Sequence, residues 1–422
     1  MRVLMRRDRL LRVSVFTICL VFLGAGLLFA DTKEDASKIA ERKAALNAFF
    51  DKQLCADCHG PTPVYNIRSA RAQYEESGHK TGGHAFYANG GECVRCHTQE
   101  GFIAYLKDGK VDEKGYIKMP SQPSCFACHN PHQTGDLSLR TVAPVTLANG
   151  QKFDKGEGNL CANCHQAAFK ADIAKAMPAN KVAGYWGAHH GPQGDMLLGT
   201  NAYEYPGKKY WSSVHSTLTK NSCLECHMTF PQERFSFSTD MAGHSFNIAG
   251  EVHEQPQLNV AGCLGKCHAE MKQVKSDNPD TPVKGFWWHQ TGAIFATEAK
   301  ADFDNDGKIE PLQAEVEGLM NLLVNSKGTG YLQKGDLPMF KEDGTWNWTR
   351  SEVERPEKEI AALYNYKFVA EDRSRGIHNA PYTIQILYDT IATLDPSFDT
   401  SKRDTYRPPE EYKPPTDKPA SN

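Results

Sequence analysis

Five times this chain repeats Cys-x-x-Cys-His, and once it spaces the pair one residue wider. The five copies are Cys55-Cys58-His59, Cys93-Cys96-His97, Cys125-Cys128-His129, Cys161-Cys164-His165 and Cys223-Cys226-His227. The wider copy is Cys263-Cys267-His268. In such a motif two thiols add to the vinyl groups of one haem as thioethers, and the following His sits under the iron as proximal ligand. A chain obliged to enclose six flat apolar macrocycles needs less side-chain core than usual, which suits a hydrophobic share of 40%. The expected fold is therefore mainly α with extensive loops, wrapped around a haem stack, with a helical C-terminal region.

The cysteine count closes the argument. Twelve of 13 Cys lie in the motifs, and the thirteenth, Cys19, lies in an N-terminal apolar run. Nothing is left for a disulfide framework or a separate thiolate site. Zinc would need pairs to converge, and it does not require His after every second Cys.

Residues 1–30 read as a signal peptide. Arg2, Arg6, Arg7, Arg9 and Arg12 precede an uncharged run, Val13 to Ala30, ending in Leu28-Phe29-Ala30. An uncleaved N-terminal membrane anchor is the alternative, since about 18 apolar residues just span a bilayer. Removing five Arg and one Asp with this segment takes the formal net charge from −3 to −7. Haem propionates add to that acidity. Nucleic acid is excluded as a partner on this balance, and redox proteins with basic surfaces are favoured.

Each iron that carries electrons without binding substrate needs a second axial ligand. Of 16 His, six are proximal and ten remain. The distal candidates are His79, His132, His189, His190, His215, His244 and His378, with His84, His253 and His289 in reserve. Met196, Met228 and Met241 are thioether alternatives.

The six-haem region is drawn as 31–272, beginning with a helix over Asp31–Leu54 and carrying short helices on the motifs and on Gln166–Met177. In the largest gap between motifs, Tyr185, Trp186, Tyr203, Tyr205, Tyr210 and Trp211 pack either on haem faces or in ordinary core. Residues 273–398 form a helical C-terminal region, with helical spacing over Glu310–Lys327 and Lys358–Leu394. A Pro-, Lys- and Glu-rich disordered tail is drawn at 399–422. Within the helical region, Asp302-Phe303-Asp304-Asn305-Asp306-Gly307 matches the start of an EF-hand loop, and Lys308 offers a carbonyl. Asp302, Asp304, Asp306, Lys308 and Gln313 are the calcium candidates. Gln313 stands where a bidentate Glu is usual, so Glu310 or Glu315 is a possible substitute.

These phrases resemble bacterial multihaem c-type cytochromes, here hexahaem, including the broad relatives of pentahaem nitrite reductase. The resemblance rests on the six motifs, on Cys223-Leu224-Glu225-Cys226-His227-Met228 with Ser213-Val214-His215 before it, and on Gly376-Ile377-His378-Asn379. His189 to Gly199 looks like a phrase of related cytochromes, while 273–375 matches only loosely. In ammonia-forming nitrite reductases the catalytic motif ends in Lys, and every motif here ends in His. The resemblance implies an exported protein, periplasmic or at the cell surface, because bacterial haem c attachment occurs outside the cytoplasm. It also implies low-potential bis-His haems relaying electrons in anaerobic or extracellular respiration; the six motifs and the acidic loop make six haem c and calcium the expected cofactors. An oxidoreductase of a small nitrogen or sulfur oxyanion with one open haem is the alternative. Self-association into a filament or oligomer, and membrane association through the N-terminus, are further expectations.

Overall fold

The computed structural model describes residues 40–41, 43–44, 65 and 67–408, apart from 83, 87, 113–114, 172–186, 190, 231–238, 253–254, 265–266, 269–272, 276–292, 296–297, 336–337 and 348–354. Residues 1–65 and 66–422 are separate units. In the first, Ala40, Glu41, Lys43 and Ala44 are helical and exposed. The signal segment 1–30, most of the Asp31–Leu54 helix, the first motif (Cys55, Cys58, His59), His190 and 409–422 lie outside the described residues.

Short helices and loops make up the motif-bearing part of the second unit, and long helices follow. Motif helices are brief: Cys125–Cys128 and Cys223–His227 carry both cysteines of their motifs, while Val94–His97 carries Cys96 alone and Gly158–Ala162 carries Cys161 alone. Three two-stranded antiparallel ladders interrupt the loops, at 145–146 with 152–153, 249–252 with 255–258, and 273–275 with 293–295. Gln166–Ala171, expected to start a helix, is not helical. Ala167 N donates instead to the Asp195 carboxylate at 2.7 Å, and Ala171 N to Asn201 Oδ1 at 3.1 Å, so both amides serve a turn.

The principal core is C-terminal. In helix Leu312–Leu323, Leu312, Val316, Leu319 and Leu323 recur at helical spacing and are buried. Helix Glu357–Asp372 starts after Pro356 with Glu357 and Glu359 in its first turn, where acidic groups meet the positive helix end. Helix Ala380–Leu394 is capped by Asn379, which accepts from Tyr382 N, and Pro381 fills an early position with no N–H to satisfy. It packs against both other helices and buries Tyr382, Ile384, Ile386, Leu387, Tyr388 and Ile391. Its polar residues Thr383, Gln385, Asp389 and Thr390 are buried too, so the helix is covered on all sides and lies at the centre of this core.

The stretch expected as one helix over Lys358–Leu394 breaks at 373–379. Arg373, Arg375 and Gly376 adopt positive φ there, and Asn379 starts a new helix. The tail also begins later than 399. Arg403 pairs with the buried Asp389 at 2.7 Å, and Phe398 and Tyr406 pack on the core. Among the described aromatics of the gap, Tyr203 and Tyr210 join this core. Tyr210 donates to Asp389 at 2.7 Å, and Trp211 N donates to Gln385 at 2.8 Å. Among the described residues no helix is long and apolar enough to cross a membrane.

Candidate haem-binding site

Five motif histidines each face an imidazole brought from elsewhere in the chain. His165 meets His79 with ring centres 6.0 Å apart, and His97 meets His189 at 6.0 Å. His129 meets His244, His268 meets His215, and His227 meets His378, each at 6.3 Å. The spacing tests whether these residues suit haem. A metal–imidazole bond of about 2 Å and a ring radius of about 1.2 Å put two rings on opposite faces of one metal about 6.4 Å apart. The observed distances fit.

Hydrogen bonds select the nitrogen that points inward. His215 Nδ1 lies 2.8 Å from Ile377 O, His227 Nδ1 2.8 Å from Phe246 O, and His129 Nδ1 3.3 Å from Ser138 O. His165 Nδ1 lies 3.1 Å from Gln193 Oε1, whose amide nitrogen donates to Glu371 O at 2.8 Å. Each acceptor requires the proton on Nδ1 and leaves the Nε2 lone pair free to ligate. His378 differs: its Nδ1 meets the buried Asp372 carboxylate at 2.6 Å.

Burial keeps most of these rings neutral, the form a metal takes. It pushes His79 down to about 4, assisted by His165, and His227 down to about 4, assisted by His378. Burial also lowers His165, His215 and His244. For His378 burial acts downward, but the Asp372 carboxylate overrides it and the net shift is upward.

Strained backbone gathers around these rings. Among the described residues, six of the eight non-glycine positions with positive φ sit on or beside the candidates: His189, Ser222 before Cys223, Ala242 and Phe246 around His244, and Arg373 and Arg375 before His378. Gly243 is required in the turn that presents His244. Its φ is +51°, and a Cβ there would come 2.3 Å from Gln73 Oε1, which accepts from His244 N at 3.1 Å. The phrase Gly191-Pro192-Gln193-Gly194 acts similarly. A Cβ on Gly191 would come 2.9 Å from Cys164 O, and one on Gly194 2.9 Å from His165 O. These glycines let the segment lie on the fourth motif while Gln193 reaches its histidine.

Sequence reasoning missed Gln193, Gln73, Phe246 and Asp372. Only Gln193 had a signal, its place between two glycines. His132 is exposed, with its ring 5.4 Å from Phe126. Met196 is buried in the C-terminal core and accepts from Thr383 Oγ1 at 3.3 Å.

In the acidic loop, carboxylate oxygens of Asp302, Asp304 and Asp306 lie within 4.8 Å of one another. Burial, then Glu315, Asp306 and Asp302, push Asp304 up to about 7. Gln313 Nε2 donates to Ser374 O at 3.1 Å. Glu315 shapes the loop through its backbone, accepting from Phe303 N at 2.6 Å, Asp304 N at 3.2 Å and Glu310 N at 2.9 Å. The Lys402 ammonium reaches Asn305 Oδ1 at 2.7 Å and the Asp302 carbonyl.

The chain is similar to proteins described as "C-type polyheme cytochrome OmcB" from two strains of Geobacter sulfurreducens. It is 27% identical to each over 229 residues, which is 44% of this chain and 28% of theirs. It is 26% identical over 189 residues to "C-type polyheme cytochrome OmcC" of the same organism, across 34% of this chain and 24% of that protein. The chain thus spans about a quarter of the length of these relatives. No family model matches it, and no solved structure matches it.

Proposed function

We propose that this chain is an exported hexahaem c-type cytochrome that relays electrons between redox proteins through closely spaced haems with imidazole on both faces. One observation carries the reading: five motif histidines face five others at 6.0–6.3 Å, most of them tethered through Nδ1. Similarity to polyhaem cytochromes supports it. Bound haem would supply iron that alternates between ferric and ferrous states. The protein's part is to hold and tune it. Cysteine pairs would fix the macrocycle, and His97 with His189, His129 with His244, His165 with His79, His227 with His378 and His268 with His215 would hold the irons. Phe246 O, Ile377 O, Ser138 O, Gln193 and Asp372 set ring orientation.

Residues 1–30 direct export, and the acidic mature chain docks basic redox partners. Asp302, Asp304 and Asp306 bind calcium, which relieves their mutual repulsion and stabilises the loop before helix Leu312–Leu323.

The test is the oxidised holoprotein, expressed with a haem c maturation system. Pyridine haemochrome assay and intact mass give six haems per chain, and electron paramagnetic resonance shows only low-spin iron. A high-spin haem that binds nitrite or cyanide would replace the relay with a reductase. A chain without covalent haem would end both readings.

A further inference from the structure

We infer that the relay branches, with the fourth attachment site as its junction: the second, third and fifth sites each abut the fourth, and the sixth continues from the fifth. The inference rests on the haem reading and adds an order in space, which motif spacing does not reveal.

The contacts are specific. Between the second and fourth sites, Cys164 Sγ lies 3.7 Å from Arg95 O inside the second motif. Between the third and fourth, Ala127 and Leu160 share a small core under Phe102, and Cys128 and Cys164 pack against it. Between the fourth and fifth, Glu157 N, just ahead of the fourth motif, donates at 3.3 Å to Asn221 Oδ1, just ahead of the fifth. A Cβ on Gly158 would come 2.1 Å from Ser222 Oγ, so glycine permits this approach. Between the fifth and sixth, a Cβ on Gly262 would come 2.3 Å from Glu225 O and 2.8 Å from Cys226 Cα. Each motif cysteine would bind a macrocycle edge, so motifs that abut bring edges together.

Phe246 ties three sites at once. Its ring lies 5.0 Å from His79 of the fourth site and 6.0 Å from His244 of the third, and its carbonyl holds His227 of the fifth.

Exposure gives an independent check. Cys93, Cys125 and Cys267, one from each arm end, are exposed. All four cysteines of the fourth and fifth sites are partly covered. Among the described sites, the second, third and sixth are thus the ports where an external redox protein could dock. The fourth and fifth form the interior. In each hop one electron leaves a ferrous iron and reduces the neighbouring ferric iron, and no atom transfers.

An experimental structure of the holoprotein, with irons located by anomalous scattering, is the direct test. The iron held by His165 should have three nearest neighbours, held by His97, His129 and His227. A linear file of six bis-His irons would overturn the branch and leave the relay intact, whereas a missing or open haem would count against the relay itself. The solution test is His79→Met in the full holoprotein. A thioether raises the potential of the fourth site, so that site fills first in a redox titration. Early reduction there should lower the apparent midpoints of the second, third and fifth sites and shift the sixth least. Equal shifts at all sites, or the largest shift at the sixth, would overturn the order.

Discussion

Asp372→Asn is the sharpest perturbation of the proposed relay. Asn keeps an oxygen to accept from His378 Nδ1, so the ring stays where it is, while the charge is lost and the second oxygen becomes an amide nitrogen that no longer accepts from Ser374. Asp372 is well fixed: its side chain is 1% exposed, and its second oxygen accepts from Ser374 N at 3.3 Å and Ser374 Oγ at 2.5 Å. Arg375, three residues on, is engaged by buried Glu317. Adding about 2.2 Å across imidazole and about 2 Å to iron to the 2.6 Å hydrogen bond puts the carboxylate roughly 6.5 Å from the metal. One unit charge there, at an effective dielectric of about 20, favours ferric over ferrous iron by about 2.5 kcal/mol. At about 59 mV per tenfold change for one electron, this amounts to about 110 mV. Asp372→Asn should therefore raise one midpoint by about 100 mV and move the other five much less. Spectroelectrochemical titration reads this, with paramagnetic resonance confirming low-spin iron at that site. A shift below about 20 mV with ligation intact would refute the argument.

Calcium should bind the acidic loop and release protons. Asp304 is held up at about 7, the metal takes the ionised form, and affinity must therefore fall as pH drops below about 7. Calorimetry in buffers of different ionisation heat measures the release. Gly318→Ala should abolish calcium-dependent stabilisation, because its Cβ would come 1.7 Å from Asp304 Oδ2. Gly191→Ala should cost about 1–3 kcal/mol in a denaturant titration, since two backbone oxygens, Cys164 O and Gln166 O, lie where the methyl goes. Buried Asp195 gives a pH signature of the opposite sign to an ordinary paired carboxylate. Burial raises it to about 6, so the native state holds its proton where the unfolded chain has lost it. Its contribution to stability therefore rises as pH falls from 7 towards 4, by at most about 3 kcal/mol. Asp195→Asn should remove that slope, and an unchanged slope would mean that another group is responsible.

Candidate ligands were legible in the sequence and the way they pair was not, for one physical reason. A motif histidine is placed by its cysteine tether, so three letters of sequence reveal it. Its opposite number is placed by the whole fold. His79 lies upstream of the second motif yet meets the fourth, and His378 crosses from the C-terminal helices to the fifth. His79, His189, His215, His244 and His378 were each visible from local context, while their partners depend on loops that no period describes. The break between the last two helices was open to a closer reading. Asn379-Ala380-Pro381 is a helix start, and Gly376 before it suits the positive φ it adopts. That break is also what function needs. A continuous helix would carry His378 round a rigid cylinder, whereas the Arg373–Gly376 turn folds it back until its Nδ1 meets Asp372. The strongest local departure from regular structure in the C-terminal region and its strongest electrostatic contact with a candidate ligand are therefore one feature, built within seven residues.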